Sequence, residues 1–445
     1  MCRTVKKELS LFDSTCIVVG IIIGAGIYET APAVASSVSG WWGVLGVWAV
    51  GGLLSLAGAL CYAELATAYP YEGGDYVYLS RAYGRWAGFL FGWVQLVIAR
   101  PGDIALLAFV FARYAGALFG PVLIGESGGQ YTEVIYAGAA VVIFTALNIL
   151  GVREGKWTQN ILTVVKVLGL AAILVVALAG PAGSPTDTRA EVSESLPVSV
   201  ALILILFTFG GWNEVAYVAA EVKNPRRNIL RSVLAGMAVV TVLYLLANAA
   251  FLRGLGHSGM ASSEAVASDM LEVVFPRFGG RIISALICVS TLGAVNGLIF
   301  TGSRISYAVG AEHRLFRVLG RWDQRRGTPV WALVVQGVIA LAMIVILGSF
   351  RRTILYTAAA VYSFYLATSM SVIILRRKEP HTERPYRVTG YPLTTIIFSA
   401  CCVFLIYSAL VYNLRDAAIS CAILLAGVPV YLLSNLRDSR GCSSK

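Results

Sequence analysis

Two apolar segments of this chain are interrupted by glycines, and each interruption could bind a charged solute through backbone atoms alone. The first lies in residues 18–28, VVGIIIGAGIY, and the second in residues 205–213, ILFTFGGWN. A broken helix leaves carbonyls unpaired where one half ends and amides unpaired where the next half begins. The carbonyls carry partial negative charge and the amides partial positive charge. A solute with both an ammonium and a carboxylate group would satisfy the two sets together.

We expect such a solute to lie between the two breaks. Carbonyls from residues 21–23 and 207–209 would face it on one side, and amides from residues 26–28 and 211–213 on the other. The residues predicted to contact it are Ile23, Gly24, Ala25, Gly26, Ile27, Tyr28, Phe207, Thr208, Phe209, Gly210, Gly211 and Asn213. The glycines of the first break have a second interpretation, because small residues also allow helices to pack closely in membranes.

Lys166 is a lone ammonium in the apolar run at residues 164–168, VVKVL. A charged group inside an apolar span is costly, and its presence indicates a function. Lys166 lies roughly 12 Å from the nearer end of its span, counting 1.5 Å per residue. Because that distance is long for its stem, a functional role is favoured over a side chain that merely reaches the membrane surface.

Glu29 and Glu214 each fall in the first turn of the half-helix that follows a break. The helix dipole stabilises an acid there by roughly 0.3–1 kcal/mol at exposed sites and up to about 2 kcal/mol when partly buried. One interpretation is therefore an N-terminal cap whose carboxylate points to backbone amides or water. The other places both carboxylates near one cavity, where they would favour a cationic side chain or share a proton.

The elements that must hold these groups are membrane-spanning helices. Apolar residues make up 58% of the 445 residues and charged residues 13%, and the mean hydropathy is +0.75. A soluble domain carries roughly 25% charged residues, so this composition excludes one. Stretches long enough to cross a bilayer lie at about 14–38, 41–66, 87–119, 134–151, 158–180, 197–220, 231–252, 281–310, 330–348, 354–375, 393–413 and 417–435. The sequence therefore predicts an all-α membrane protein with twelve transmembrane helices, forming a single domain over residues 1–445.

The net charge of +11 is distributed according to membrane topology. With the N-terminus in the cytoplasm, most of the 35 lysines and arginines fall in segments on the cytoplasmic side, as the positive-inside rule requires. We therefore predict a lipid bilayer as the surroundings and no nucleic-acid partner. The predicted location is the cell (plasma) membrane, with both termini cytoplasmic.

Cysteine and histidine give no indication of a metal or redox centre. Most of the eight cysteines lie in apolar spans, where they are expected to pack as small hydrophobes. His257, His313 and His381 lie far apart in loops, whereas an embedded metalloenzyme needs ligands clustered at one depth. We predict no metal, no cofactor and no enzymatic activity.

The two breaks occupy matching places in two successive five-span blocks, at about 14–180 and 197–375. Because five is an odd number, the second block enters the membrane from the opposite side, and the blocks form an inverted repeat. The helices at about 393–435 are an addition. Interrupted spans at equivalent positions of two inverted halves indicate the substrate site of a secondary transporter. The charge pattern of the breaks suits an amino acid.

Five motifs follow one another along these spans. They are GAGIY at 24–28, PYEGGDY at 70–76, FGGWN at 209–213 with AEVKNPRRN at 220–228, NG at 296–297 with GSR at 302–304, and RPY at 384–386 with GYP at 390–392. In this order they resemble the amino acid–polyamine–organocation superfamily, and its L-type amino acid transporter branch in particular, over about residues 8–435. The resemblance implies a LeuT-type five-plus-five inverted repeat with broken helices 1 and 6, and amino acid transport by alternating access.

The resemblance also implies gating residues. Phe207, one residue before the second break, is similar to the aromatic residue that covers the substrate in this superfamily. Trp212 is either a further gating residue or an ordinary packing ring.

The resemblance further implies that the span-five lysine replaces an ion. In sodium-dependent relatives an ion lies at that place, between spans one and eight. We expect Lys166 to bond the carbonyls between Gly20 and Ile23 and the hydroxyl of Ser290 or Thr291. Transport should then be independent of sodium.

Three further charged groups have modest expected roles. Arg304 is expected to snorkel or to pair with an acid at the cytoplasmic end of its span. Arg100 and Asp103 are spaced as a pair on one helix face. The run at residues 221–227 is expected to be a solvated hinge that helps to close the inner gate.

We predict a secondary active transporter of amino acids, working as a sodium-independent antiporter or by proton-coupled uptake. The alternative is a polyamine or cationic amino acid carrier on the same fold. A channel is disfavoured, because a pore would need charged rings or carbonyl filters and no occluding aromatic residue. The sequence leaves open which amino acid is carried and whether a single-span partner subunit is attached.

Overall fold

The structure is a computed structural model that describes residues 6–122, 128–179, 197–276, 278–347, 350–412 and 414–440. Within these ranges the chain is helical, with two isolated β-bridges and no β-strand. The first helices are α1 (Leu11–Ile22), α2 (Gly26–Ser37), α3 (Gly40–Ala68), α4 (Asp75–Tyr83), α5 (Arg85–Val94), α6 (Arg100–Phe119), α7 (Gly128–Leu150) and α8 (Val152–Ala179). The remaining helices are α9 (Val198–Thr208), α10 (Glu214–Tyr217), α11 (Pro225–Ser262), α12 (Val266–Val274), α13 (Gly279–Glu312), α14 (Val330–Leu347), α15 (Phe350–Lys378), α16 (Leu393–Tyr412) and α17 (Leu414–Arg440).

Many of these helices are long and apolar enough to cross a membrane. Among the described residues, six continuous segments meet that condition: Gly40–Ala68, Arg85–Phe119, Tyr131–Leu150, Val152–Ala179, Pro225–Ser262 and Gly279–Glu312. Helices α1 and α2 meet it only as a pair, because they are bent by 48° at the break between them. Shorter apolar helices lie at Val198–Thr208, Val330–Ile346, Leu393–Ser408 and Cys421–Asn435. The fold is that of an integral membrane protein of many helices.

The start of α1 is fixed by a capping box and by the segment that follows α10. The Ser10 amide donates to the Asp13 carboxylate over 2.8 Å, and the Ser10 hydroxyl accepts from the Asp13 amide over 3.2 Å, so two free amides are satisfied reciprocally. The Leu9 amide donates to the Glu221 carbonyl over 2.9 Å, and the Leu9 carbonyl accepts from the Lys223 amide over 2.7 Å. The first broken helix is therefore tied to the chain just after the second.

Helix α13 lies at the centre of the packing. It is the most enclosed of the six apolar spans found among the described residues, and it contacts α1, α6, α8 and α14. Helix α11 contacts α1, α2, α3 and α8, and α2 also contacts α9. The two broken elements, α1–α2 and α9–α10, are thus held between long continuous helices.

Arg304 on α13 forms a fully buried ion pair with Glu221. Its Nε and Nη2 atoms donate to the two Glu221 carboxylate oxygens over 2.7 and 3.1 Å, and its Nη1 donates to the Phe300 carbonyl over 2.8 Å. The expected acidic partner is confirmed. The expectation that residues 221–227 form a solvated hinge is wrong for Glu221, because its side chain is 1% exposed. A bidentate pair is the geometry in which two buried charges can compensate each other.

We predict that Glu221→Gln destabilises the protein, because it leaves the Arg304 charge buried without its partner. Breaking a buried pair in this way costs about 3–5 kcal/mol, so the thermal unfolding midpoint in detergent should fall clearly. The matched control is Glu383→Gln, whose partner Arg226 and own side chain are both largely exposed. Exposed pairs contribute little, so the control should unfold like the unmodified protein. Equal midpoints for the two variants would contradict a stabilising role for the buried pair.

Candidate functional site

A cavity of about 150 Å³ lies between the two helix breaks. An apolar protein cavity of about this volume can hold a molecule as large as benzene, so a small metabolite fits. Its lining comes from five parts of the chain: Ile21, Ile22, Gly24, Ala25, Gly26, Asp103, Leu106, Leu107, Leu206, Phe207, Thr208, Gly210, Gly211, Glu214, Leu298, Val361, Tyr362 and Tyr365.

The first break presents the amide end of α2 to the cavity. Helix α1 ends at Ile22 and α2 begins at Gly26, while the Gly24 amide turns back to the Ile22 carbonyl over 2.8 Å. The residue before α2 is Ala25, and no side chain caps the helix there. The first amides of a helix have no partner within the helix. The start of α2 is therefore suited to a carboxylate.

The second break is wider than the first. Helix α9 ends at Thr208, and the next helical turn, α10, begins only at Glu214. Gly211 has a φ of +117°, a backbone conformation that residues with a side chain rarely adopt. A glycine is thus favoured at this position in the segment that joins the two helices.

The two breaks touch each other. A Cβ atom on Gly26 would lie 3.0 Å from Thr208 Cγ2, and one on Gly211 would lie 2.9 Å from Ile21 Cγ2. Tyr244 on α11 bridges the breaks, because its hydroxyl lies 2.8 Å from the Ile22 carbonyl and 3.3 Å from the Thr208 carbonyl. Sequence analysis missed Tyr244, since nothing in its neighbourhood distinguishes it from a packing tyrosine.

Seven of the twelve residues predicted to contact the solute line the cavity. They are Gly24, Ala25, Gly26, Phe207, Thr208, Gly210 and Gly211. The other five lie outside the lining: Ile23, Ile27, Tyr28, Phe209 and Asn213. Successive residues of a helix point in different directions, so a run of neighbours cannot all face one cavity.

Four of these five residues have contacts elsewhere. The Ile23 carbonyl is bonded to Lys166, and Ile27 is buried in the apolar core. The Phe209 ring packs 5.1 Å from that of Tyr244. The Asn213 amide donates to the Tyr217 hydroxyl over 2.7 Å.

Lys166 lies fully buried where α8 faces the first break. Its ammonium donates to the carbonyls of Gly20, Ile23 and Ser290 over 2.8, 2.9 and 2.7 Å. Three donors therefore meet three acceptors, two of them on the first broken helix and one on α13. A cation at this point holds the carbonyl end of α1 against α13.

The predicted hydroxyl contacts of Lys166 are wrong. The Ser290 hydroxyl donates to the Ile23 carbonyl over 2.9 Å, so this residue contributes its carbonyl, and not its hydroxyl, to the ammonium. The Thr291 hydroxyl donates to the Ile287 carbonyl one turn earlier, over 2.8 Å. A hydroxyl on a helix readily bonds backward in this way, whereas a carbonyl keeps a lone pair for the ammonium.

Glu214 is held by a cation, so the prediction of an N-terminal cap is wrong for it. Its carboxylate accepts from Arg100 Nη1 over 2.9 Å and from the Thr301 hydroxyl over 2.5 Å. The expected ion pair between Arg100 and Asp103 is also wrong, because the Arg100 ion pair is with Glu214. Arg100 begins α6 directly after the π-helical turn Gln95–Ala99, and such turns are frequent at functional sites.

Glu29 lies on a separate cavity, so the prediction that the two acids share one cavity is wrong. It forms an ion pair with Arg113 and accepts a 3.4 Å hydrogen bond from the Tyr114 hydroxyl. Its cavity, of about 110 Å³, is also lined by Tyr28 and Tyr114. Glu29 is the fourth residue of α2. Its side chain therefore points to α6, which carries Arg113 and Tyr114.

Trp212 packs into an aromatic cluster and is not part of the cavity lining. Its ring centroid lies 5.0 Å from that of Tyr62, 5.4 Å from that of Tyr365 and 5.8 Å from that of Phe398. Of the two predicted gating residues, Phe207 alone lines the cavity. The packing interpretation of Trp212 agrees with these contacts.

Sequence analysis missed the cavity residues that come from helices far along the chain. They are Leu106 and Leu107 on α6, Leu298 on α13, and Val361, Tyr362 and Tyr365 on α15. The sequence predicted Asp103 only as a partner of Arg100 on one helix face. An acid inside an apolar span was the one signal that could have placed it in the site.

We predict that Gly211→Ala abolishes most amino acid uptake, because the new methyl group would strain the backbone and collide with Ile21 across the breaks. The matched control is Gly256→Ala. Gly256 also has a positive φ, but an added Cβ atom there would meet nothing within 4 Å. The control carries the same backbone cost, about 1–2 kcal/mol, and should retain most uptake. Equal losses in the two variants would show that the contact between the breaks is not required.

Comparisons with known proteins identify the family of this chain. The profile of the family described as amino acid permease matches residues 9–432. The chain is 31% identical to b(0,+)-type amino acid transporter 1 of Homo sapiens, over 97% of this chain and 88% of that protein. It is 31% identical to the serine/threonine exchanger SteT of Bacillus subtilis (strain 168), over 96% of each. It is 32% identical to large neutral amino acids transporter small subunit 2 of Homo sapiens, over 96% of this chain and 80% of that protein. The chain belongs to the amino acid permease family of the amino acid–polyamine–organocation superfamily, as an integral membrane transporter and not an enzyme.

Proposed function

We propose that this protein is a secondary active transporter that moves amino acids by alternating access. The observation that carries the proposal is the cavity that residues of both helix breaks line. The uncapped start of α2 suits the α-carboxylate, and the carbonyl ends of α1 and α9 suit the α-ammonium. The two charged groups common to all amino acids would thus be bound by backbone atoms, which leaves the side chain to the rest of the lining.

The proposed architecture is the twelve-helix LeuT-type fold. Helices from α1 to α8 would form the first five-span repeat, about residues 14–180, and helices from α9 to α15 the inverted second repeat, about residues 197–375. Helices α16 and α17 would be the addition at about 393–435. The placement of the two breaks, each in the opening helix of its block, supports this assignment. In such a fold the substrate site lies near the membrane midplane, at the interface of the repeats.

Alternating access requires a closure that can be opened, and a buried network around Asp75 is suited to that role. Its carboxylate accepts from the Tyr62 hydroxyl over 2.5 Å and from the Tyr217 hydroxyl over 2.8 Å, and it also accepts from the Thr368 hydroxyl. These residues belong to α3, α4, α10 and α15. We propose that this network closes the cytoplasmic side of the site and that Phe207 covers the substrate from the other side.

Lys166 is proposed to act as a fixed cation in place of a transported ion. It already supplies the positive charge and the three donors that the carbonyls of Gly20, Ile23 and Ser290 need. An added sodium ion would be repelled there and would find its oxygen ligands occupied. Coupling would then come from exchange of one amino acid for another, as in the relative named an exchanger, or from a proton.

The proposed location is the plasma membrane with both termini in the cytoplasm, on the basis of the positive-inside distribution of lysine and arginine. The proposed transport unit is the single chain. One relative is named a small subunit, so a single-span partner is a further component to be sought by purification from the native membrane.

Counterflow in proteoliposomes tests the function. Purified protein is reconstituted in vesicles that contain pooled unlabelled amino acids, and entry of labelled alanine, leucine, serine or lysine is measured from the outside. We expect transient accumulation of at least one label, which saturates with its concentration, because a carrier exchanges one bound molecule for another. Flux that rises linearly with concentration, with no stimulation by internal amino acids, would favour a channel and contradict the proposal.

We predict that replacing sodium by choline leaves the initial rate of uptake unchanged, because Lys166 occupies the ion position. We also predict that Lys166→Met abolishes transport, since it removes the charged hydrogen bonds to the Gly20, Ile23 and Ser290 carbonyls, each of which contributes about 1.5–3 kcal/mol. Gel filtration in detergent serves as the control for folding of the variant. Uptake that requires sodium in the unmodified protein would show that the cation role assigned to Lys166 is wrong.

A further inference from the structure

Asp103 is an acid that lines the transport cavity without a partner of its own. Its neighbour in the cavity, Glu214, is held by Arg100 and Thr301. Within the part of the chain that the structure describes, no hydrogen bond or ion pair reaches the Asp103 carboxylate. Arg100 lies one turn away on the same helix and attracts Asp103 at longer range, but its ion pair is with Glu214. Asp103 thus differs from every other acid near the breaks.

The negative charge of Asp103 is not compensated by a cation among the described residues that line the cavity. Arg100 and Glu214 cancel each other, and Glu29 is paired with Arg113 outside the cavity. Lys166 is bonded to three carbonyls and does not line the cavity. An amino acid with a neutral side chain would bring no net charge. A substrate with one extra positive charge would balance the site.

The apolar surroundings of Asp103 make pairing with a cation energetically favourable. Most of the lining near it is apolar, from residues such as Leu106, Leu107, Leu298 and Tyr362. A carboxylate that loses water in such surroundings is unfavourable unless it is paired and hydrogen-bonded. A substrate cation that enters the cavity would supply both the charge and the donors.

The position of Asp103 matches the reach of a long side chain. Leu107 on α6 lies against the first break, where its Cδ2 atom is 3.6 Å from the place of a Cβ atom on Gly24. Asp103 is four residues away from Leu107 on the same helix, which is about 6 Å along its axis. If the α-carboxylate is bound at the start of α2, a cationic group several carbons from the α-carbon reaches Asp103.

We propose that Asp103 is the specificity-determining residue of this transporter and that it accepts the side-chain ammonium or guanidinium of a dibasic amino acid. The proposal rests on the proposed function, because it assumes that an amino acid occupies the cavity. It adds the substrate class, which neither the breaks nor the relatives decide. Asp103 binds the side chain, and the backbone of the breaks binds the α-carboxylate and α-ammonium groups.

Lysine and norleucine provide a matched pair of substrates, because norleucine is lysine without its terminal ammonium. Counterflow of labelled lysine is measured in the unmodified protein with either compound as competitor, at fixed pH. We expect lysine to compete at least about tenfold better, which corresponds to about 1.4 kcal/mol, because its ammonium forms a charged hydrogen bond that norleucine cannot form. Equal competition by the two compounds would overturn the proposal, and this measurement needs no variant.

The variant Asp103→Asn then tests whether Asp103 causes the preference for lysine over norleucine. We expect the variant to lose most lysine uptake and to keep or gain norleucine uptake, while Asp103→Glu keeps the preference for lysine. Glu383→Gln removes one negative charge from an exposed pair and should behave like the unmodified protein. An Asn variant that still prefers lysine would overturn the proposal, as would a Glu variant that has lost the preference.

The two hypotheses fail in different ways. If the unmodified protein exchanges neutral amino acids but not lysine, the role of Asp103 is wrong while the transport function stands. If it exchanges no amino acid at all, the transport function itself is wrong.

Discussion

The structure depends on one constraint, which is that an unwound backbone in apolar surroundings must find partners for its polar groups. Protein atoms satisfy part of the first break. Lys166 donates to the carbonyls of Gly20 and Ile23, and Tyr244 donates to that of Ile22. The amide end of α2 is left facing the cavity without a side-chain cap. This division shows how a broken helix can be stable and still keep backbone groups available for the proposed substrate.

The buried charges also find partners within the protein. Arg304 and Glu221 compensate each other where the chain leaves the second break, and Arg100 and Glu214 do so beside the cavity. Each pair joins helices that are distant in sequence, so the charges fix the relative position of elements that apolar packing alone would hold loosely. Asp103 differs from this pattern, because it lines the cavity without an ion pair to any described residue, and a substrate cation is its proposed partner.

Membership of the amino acid permease family indicates that the substrates are amino acids. How a substrate is bound depends on the residues that line the site. The relatives named above carry different amino acids according to their names, although they cover nearly all of this chain at similar identity. In the proposed function, backbone groups at the breaks recognise the α-carboxylate and α-ammonium groups that all amino acids share. Selectivity must therefore come from the remaining lining, where α6 and α15 contribute side chains.

The sequence by itself determined the membrane-spanning helices, the two breaks and the family, because hydropathy, glycine content and short motifs are local properties. It also predicted a special role for Lys166, since a lone charge in an apolar run is unusual wherever the run packs, and the structure places its ammonium on the carbonyls of the first break. Only the tertiary structure decided which residues of the breaks face the cavity, that Arg100 pairs with Glu214, and that Glu29 lies on another cavity. Those outcomes depend on the rotation of each helix and on partners more than eighty residues away, and no local pattern encodes either.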